Sequence, residues 1–127
     1  MQVALVIEDD PATLIAWALV LRSFGFAVLE AASRGEVWRV RHQHQGPIHL
    51  VLMDAFLDHS TCEFVARLQL VYPQMRVLFV CNESPPELTD MPCEFAFLQK
   101  PFRVETLAYA VKQLLQGPKK RAAASLS

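Results

Sequence analysis

Short apolar runs alternate with longer amphipathic stretches along the chain. The runs are residues 3–7, 27–29, 50–53, 77–80 and 95–98. Each is brief and almost continuously apolar, the pattern of a strand buried on both faces. The stretches between them carry helix-start signals. Asp10-Pro11 offers an N-cap followed by proline at the first helical position. Ser33-x-x-Glu36 and Ser60-x-x-Glu63 read as capping boxes, in which a hydroxyl and a carboxylate satisfy backbone donors that the helix leaves open. Gly25 stands where the first helix should stop, and Gly117-Pro118 stops the last. Between the fourth and fifth runs, residues 81–95 are short and proline-rich. Ser84-x-x-Glu87 opens a helix there, which Pro92 limits to about two turns.

Strand and helix alternating in this way predict an α/β domain, a parallel sheet with helices on both faces. Right-handed crossovers put the carboxyl ends of all the strands on one edge, where open sheets of this kind bind their ligands. In the first helix, Trp17, Val20, Leu21 and Phe24 share a stripe suited to the core. The other side carries Ile15, Ala18 and Leu19 with only Arg22 charged, a partly apolar face of the kind that docks a partner. In the last helix Val104, Leu107, Ala108, Val111 and Leu115 make the core stripe, and Tyr109, Lys112 and Gln113 face outward. Trp17 and Trp38 are read as packing residues.

Composition narrows the class. The 127 residues are 53% hydrophobic, enough for one cored domain. A formal net charge of -1 offers no broad basic surface for nucleic acid. No apolar run reaches the ~18–20 residues of a membrane span, and no signal peptide is expected at the N-terminus. Cys62, Cys81 and Cys93 are odd in number and lack metal-type spacing, which fits a reduced, cytoplasmic protein without a disulfide framework. Residues 117–127 lose the periodicity and are expected to form a flexible basic tail whose charges, Lys119, Lys120 and Arg121, stay solvated.

The strand ends carry the chemistry. Glu8 and Asp9 follow the first run, Asp54 the third, Cys81 the fourth, and Gln99 then Lys100-Pro101 the fifth. Carboxylates held close repel one another and raise each other's affinity for protons. A hard divalent cation relieves this, and oxygen ligands suit magnesium. Lys100 supplies a charge able to pair with a carboxylate or hold a phosphoryl oxygen. A carboxylate beside a metal and an ammonium is placed to attack phosphorus, with both cations stabilising the transferring group. Asp10 is assigned to the helix cap alone.

The stretches "VALVIEDDP" (3–11), "HLVLMD" (49–54) and "FLQKPF" (97–102) carry a family likeness. Over residues 1–116 the chain resembles the receiver domain of two-component response regulators, the CheY-like fold. The resemblance implies a flavodoxin-like (βα)5 doubly wound parallel sheet in strand order 2-1-3-4-5, here with a shortened fourth helix. It implies that Asp54 is the phosphoacceptor, taking a phosphoryl group from a histidine kinase or phosphotransfer protein. Glu8 and Asp9 would hold Mg2+ together with Asp54 and the backbone carbonyl of Phe56, Asp9 being the more direct ligand. Lys100 would contact the phosphoryl group, and Phe97 would be the aromatic that changes rotamer on activation. Phe56 and Glu83 occupy positions that tune phosphoryl lifetime. Such a domain is not a turnover enzyme, and its first helix often meets the kinase.

The sequence departs from the family pattern in four places. Cys81 stands where the family has the switch Thr or Ser, and a thiol is a weaker donor than a hydroxyl. Asp58 and Cys62 replace the usual Pro and Gly after the phosphoacceptor. The fourth helix is short, which alters the usual output face. No DNA-binding or other effector domain is expected, and if these 127 residues are the whole gene product, output comes through contact with a downstream protein partner, with a homodimer left open. Three alternatives compete: a degenerate receiver acting as a phosphorylation-independent interaction module, a receiver fragment of a hybrid kinase, and an aspartyl phosphatase. The last lacks the Asp-x-Asp arrangement and room for a cap domain.

Overall fold

The structure, a computed structural model, describes residues 1–54, 59–82, 91 and 93–116. Five strands form, β1 (Val3–Ile7), β2 (Ala27–Ala31), β3 (Leu50–Asp54), β4 (Arg76–Cys81) and β5 (Phe95–Gln99). All pair in parallel, in the order β2-β1-β3-β4-β5. The described helices are α1 (Pro11–Ser23), α2 (Arg34–Gln43), α3 (His59–Val71) and α4 (Val104–Leu115). The expected short helix around Ser84-x-x-Glu87 and the basic tail lie outside the described residues, as do Phe56, Asp58 and Glu83.

Alternate residues of each strand serve opposite faces, as the two-residue repeat of a strand requires. Leu5, Ile7, Val51, Met53, Val77 and Phe79 pack with Val37 of α2 and with Val65 and Leu68 of α3. Ala4, Val6, Leu50, Leu52, Leu78 and Val80 pack with Trp17 and Leu21 of α1 and with Leu107, Val111 and Leu114 of α4. The sheet is therefore covered on both sides, which is why its central strands carry almost no polar residue.

The strand bounds predicted from apolar runs are short at the edge. β2 continues through Glu30 to Ala31. It is an edge strand with half-buried positions, so a charged residue is tolerated, and the Glu30 carboxylate accepts from Arg22 of α1 at 2.8 Å. Arg76 opens β4 and is likewise kept by a partner, donating to the Leu114 carbonyl at the end of α4 at 3.1 Å. At the amino edge the His49 ring accepts the Val3 N–H through Nδ1 at 3.0 Å, and its backbone bridges Val3 and Arg76.

The helix ends largely follow their signals. Asp10 caps α1 by accepting from the Thr13 N–H at 3.0 Å and from its hydroxyl at 2.6 Å. The helix closes in a Schellman turn: Gly25 N–H donates to the Arg22 carbonyl and Phe26 N–H to that of Leu21. Gly25 takes φ 98°, the left-handed conformation this turn requires. Ser33 caps α2 by accepting from the Glu36 N–H, while the Glu36 carboxylate reaches back to the N–H of Ala32. The box at Ser60-x-x-Glu63 is corrected. α3 already begins at His59, so Ser60 lies inside its first turn, where its hydroxyl accepts from Arg34 at 3.4 Å. Arg34 also donates to Thr61 Oγ1 at 2.6 Å and lies over the Phe64 ring, joining α2 to the start of α3.

Two helix faces are also corrected. Ala18 of α1 is buried (0% exposed), leaving Ile15 at 56% and Leu19 at 59% as the exposed apolar pair. Ala18 is three and four residues from Leu21 and Leu14, on the same stripe, and its small side chain lets the helix approach the sheet closely. In α4 the buried stripe is Leu107, Val111 and Leu114; Leu115 is half-buried, and Val104 is exposed because it is the helix's first residue. No helix among the described residues is long and apolar enough to cross a membrane.

Candidate functional site

The carboxyl ends of β1, β3 and β5 bring Glu8, Asp54 and Lys100 together. Asp54 ends the buried central strand β3 and is itself half-buried. Lys100 follows β5, and its backbone N–H donates to the Cys81 carbonyl at 2.8 Å, anchoring the start of its side chain at the end of β4. From there the lysine stem reaches across β4, and Nζ donates to Asp54 Oδ2 at 2.7 Å. The peptide bond between Lys100 and Pro101 is cis.

Glu8 follows β1 and is almost wholly buried (4% exposed). Its Oε1 accepts from the Asp10 N–H at 2.9 Å. Its Oε2 is buried with no hydrogen-bond partner among the described residues. Burial pushes the Glu8 carboxyl up to about 7; the Asp10 N–H works against this, and the neighbouring Asp54 and Asp9 carboxylates add to it. A proton shared among these groups is one way to relieve the crowding. Asp9 stands exposed beside Glu8. Asp10 points away into its cap, and the two hydrogen bonds from Thr13 hold its carboxyl below the usual range. Among the described residues no group of three acidic, histidine or cysteine side chains is gathered closely enough to hold a metal.

Cys81 is half-buried at the end of β4, in register with Gln99. Burial, and then the charge of Asp54, push its thiol up, with Lys100 opposing, so the thiol keeps its proton at neutral pH. Phe97 is half-buried on β5 and belongs to a cluster of three rings. It stacks on Phe79 at 5.6 Å between centroids and meets Phe95 edge-on at 5.5 Å.

One residue at the site escaped the sequence reading. Trp17 of α1 lies beneath the lysine, with Lys100 Nζ 5.3 Å from the centre of its ring. It also meets Phe102, two residues beyond Lys100, at 6.3 Å and a 42° tilt. The helical stripe marked Trp17 as core, and its proximity to a loop more than eighty residues later arises only from tertiary packing.

Comparison with known proteins agrees with this architecture. The chain is 28% identical over 116 residues to the sensor kinase CckA of Brucella abortus, covering 88% of this chain and 12% of that one. The crystal structure of the receiver domain from the hybrid histidine kinase CckA superposes with a TM-score of 0.71 at 29% identity, over 90% of this chain and 99% of that chain. The fold is that of a response regulator receiver domain. A response regulator from Thermotoga maritima shares it, with a TM-score of 0.77 at 21% identity over 92% of this chain and 99% of its own. No family model matches the chain. The receiver-like chain spans a small part of the curated relatives it matches, 12% of the sensor kinase and 26% of two transcriptional regulatory proteins.

Proposed function

We propose that this receiver domain accepts a phosphoryl group on Asp54 from the phosphohistidine of a histidine kinase or phosphotransfer protein, and signals through contact with a protein partner. The observation that carries this reading is the 2.7 Å pair of Lys100 Nζ and Asp54 Oδ2 at the open end of the central strand, beside the buried Glu8. In the transfer, an Asp54 oxygen forms a bond to phosphorus as the bond from phosphorus to the donor's imidazole nitrogen breaks. The electron pair leaves with the imidazole. Lys100 already stands at the nucleophile, where its ammonium can follow charge onto the phosphoryl oxygens.

The acidic residues fit a magnesium ion. Glu8 Oε2 is a buried oxygen lacking a partner among the described residues, and hard oxygen donors are what this cation takes. Magnesium keeps several waters and takes only one or two carboxylates directly, so the acidic residues need not close around it as a cage. Glu8, Asp9 and Asp54 would hold it; the expected fourth ligand, the carbonyl of Phe56, lies outside the described residues. When bound, the ion neutralises negative charge on the transferring group. Asp10 takes no part, because its carboxylate is engaged in the cap of α1.

Cys81 favours a second reading, an interaction module that works without phosphorylation. Its thiol replaces the hydroxyl that would bond a phosphoryl oxygen and couple it to Phe97. Incubation with a small acyl phosphate and Mg2+, read on a phosphate-affinity gel, separates the two. The first reading expects a shifted band that Asp54→Asn abolishes. An unshifted wild-type band beside a working control supports the second.

A further inference from the structure

Lys100 is held at three points. Its backbone N–H is fixed to Cys81, its ammonium bonds Asp54, and the same ammonium stands 5.3 Å from the centre of the Trp17 ring. We propose that Trp17 is a positioning residue for Lys100, its indole face keeping the ammonium at the phosphoacceptor before and after phosphoryl transfer. This rests on the reading of Lys100 as the group that meets the phosphoryl oxygens.

Lysine has a long flexible stem, and its ammonium is a point charge without a fixed fork of donors. One carboxylate oxygen alone holds it in a single direction. That oxygen changes character once Asp54 becomes an acyl phosphate, and the ammonium must move toward the new phosphoryl oxygens. An aromatic face attracts a cation over a broad area and imposes no single hydrogen-bond direction. The indole therefore goes on holding the ammonium through a small displacement that breaks the carboxylate bond. Trp is the strongest of the aromatic partners for this purpose.

The indole is itself fixed. Trp17 is 8% exposed, packed in the core layer between α1 and the sheet, and braced by Phe102. Phe102 lies on the loop that carries Lys100, so lysine and indole are tied to the same short segment. The thiol at Cys81 gives the contact added weight, because that position lacks the hydroxyl that would otherwise help organise the phosphoryl oxygens.

The test compares Trp17→Phe, which keeps a π face, with Trp17→Leu, which keeps apolar bulk without one. Each is combined with Lys100→Met, and all proteins are first shown to melt cooperatively. The initial rate of phosphorylation by a small acyl phosphate with Mg2+ is measured, together with the NMR shift of the Lys100 ε-methylene protons, which the proposed contact would place in the ring current of the indole. We expect Trp17→Leu to slow phosphorylation about five- to thirty-fold, and Trp17→Phe to recover most of the rate. Trp17→Leu should have no further effect once Lys100 is replaced by methionine. In the single Trp17→Leu variant the ε-methylene signal should lose its upfield shift. Equal losses with and without Lys100, or a folded Trp17→Leu protein with unchanged rate and unchanged Lys100 shift, would overturn the proposal. If the wild-type protein takes no phosphoryl group, the functional reading fails by itself. The Lys100 shift then still decides whether the indole holds the ammonium.

Discussion

Replacing Glu8 by glutamine should stabilise the protein at pH 8 in the absence of divalent cations. The Glu8 carboxyl is raised from 4.5 to about 7 by burial and by its acidic neighbours. Between those values the folded state holds a proton that the unfolded state has released. The stability contribution is therefore fully present below pH 4.5, declines as pH rises, and is lost once pH passes about 7. A displacement of that size corresponds to at most about 3–4 kcal/mol, and the exposed Asp9 and half-buried Asp54 beside Glu8 leave it partly screened by solvent, so about 1–2 kcal/mol is expected. The substituted side chain carries no charge to bury, and its amide can donate to the Asp54 or Asp9 carboxylate. Denaturant titrations of wild type and Glu8→Gln in a chelator, from pH 4.5 to pH 8, measure the difference directly. The two should be nearly equal at pH 4.5 and separate by about 1–2 kcal/mol at pH 8, roughly 4–8 °C in Tm. With Glu8 holding Mg2+ as proposed, adding the ion at pH 8 should then reverse the order, since a ligand at a hundredfold excess over its Kd stabilises by about 2.7 kcal/mol and Glu8→Gln is expected to bind it less well. A Glu8→Gln protein that is less stable than wild type at pH 8 in chelator, or a difference that does not change with pH, would refute the reasoning.

Other residues give further expectations. Lys100→Met should leave the fold intact but slow phosphorylation by a small acyl phosphate roughly 10- to 100-fold, because it removes the ammonium that stands 2.7 Å from Asp54; gel-resolved initial rates measure this. Cys81 and Cys93, both pushed up by burial and the latter to about 11, should alkylate more slowly than a free thiol at pH 8, as mass-spectrometric time courses would show. Gly25→Ala should cost about 1–2 kcal/mol by denaturant titration; a Cβ there meets nothing within 4 Å, so the loss comes from the left-handed backbone alone.

The parts of the fold that were legible in the sequence are those governed by local pattern. Runs such as residues 50–53 are apolar on both faces because the sheet is covered on both sides, and the resulting strand order is the one the family resemblance implied. Asp10 and Gly25 act through contacts within a few residues of themselves, so their roles could be read without a structure. The failures arise where tertiary contacts decide. Glu30 extends β2 because Arg22 of α1 pairs with it, and Ser60 lies within α3 where Arg34 of α2 meets it. Ala18 faces the core because the α1 stripe runs through Leu14 and Leu21, a small rotation that apolar residues on every side of the helix disguise. At the site, Glu8, Asp54 and Lys100 were named from their places at strand ends, and the structure brings them together. The contact between Trp17 and Lys100 had no local sign, because it joins a helix at one end of the chain to a loop near the other.

The proposed function turns on whether Asp54 takes the phosphoryl group. The most direct measurement is mass spectrometry of the intact protein, and of its peptides, after incubation with a small acyl phosphate and Mg2+. A mass gain of one phosphoryl group is expected, located in the peptide that contains Asp54 and absent from Asp54→Asn. A phosphoryl group on another residue, or an equal gain in Asp54→Asn, would contradict it.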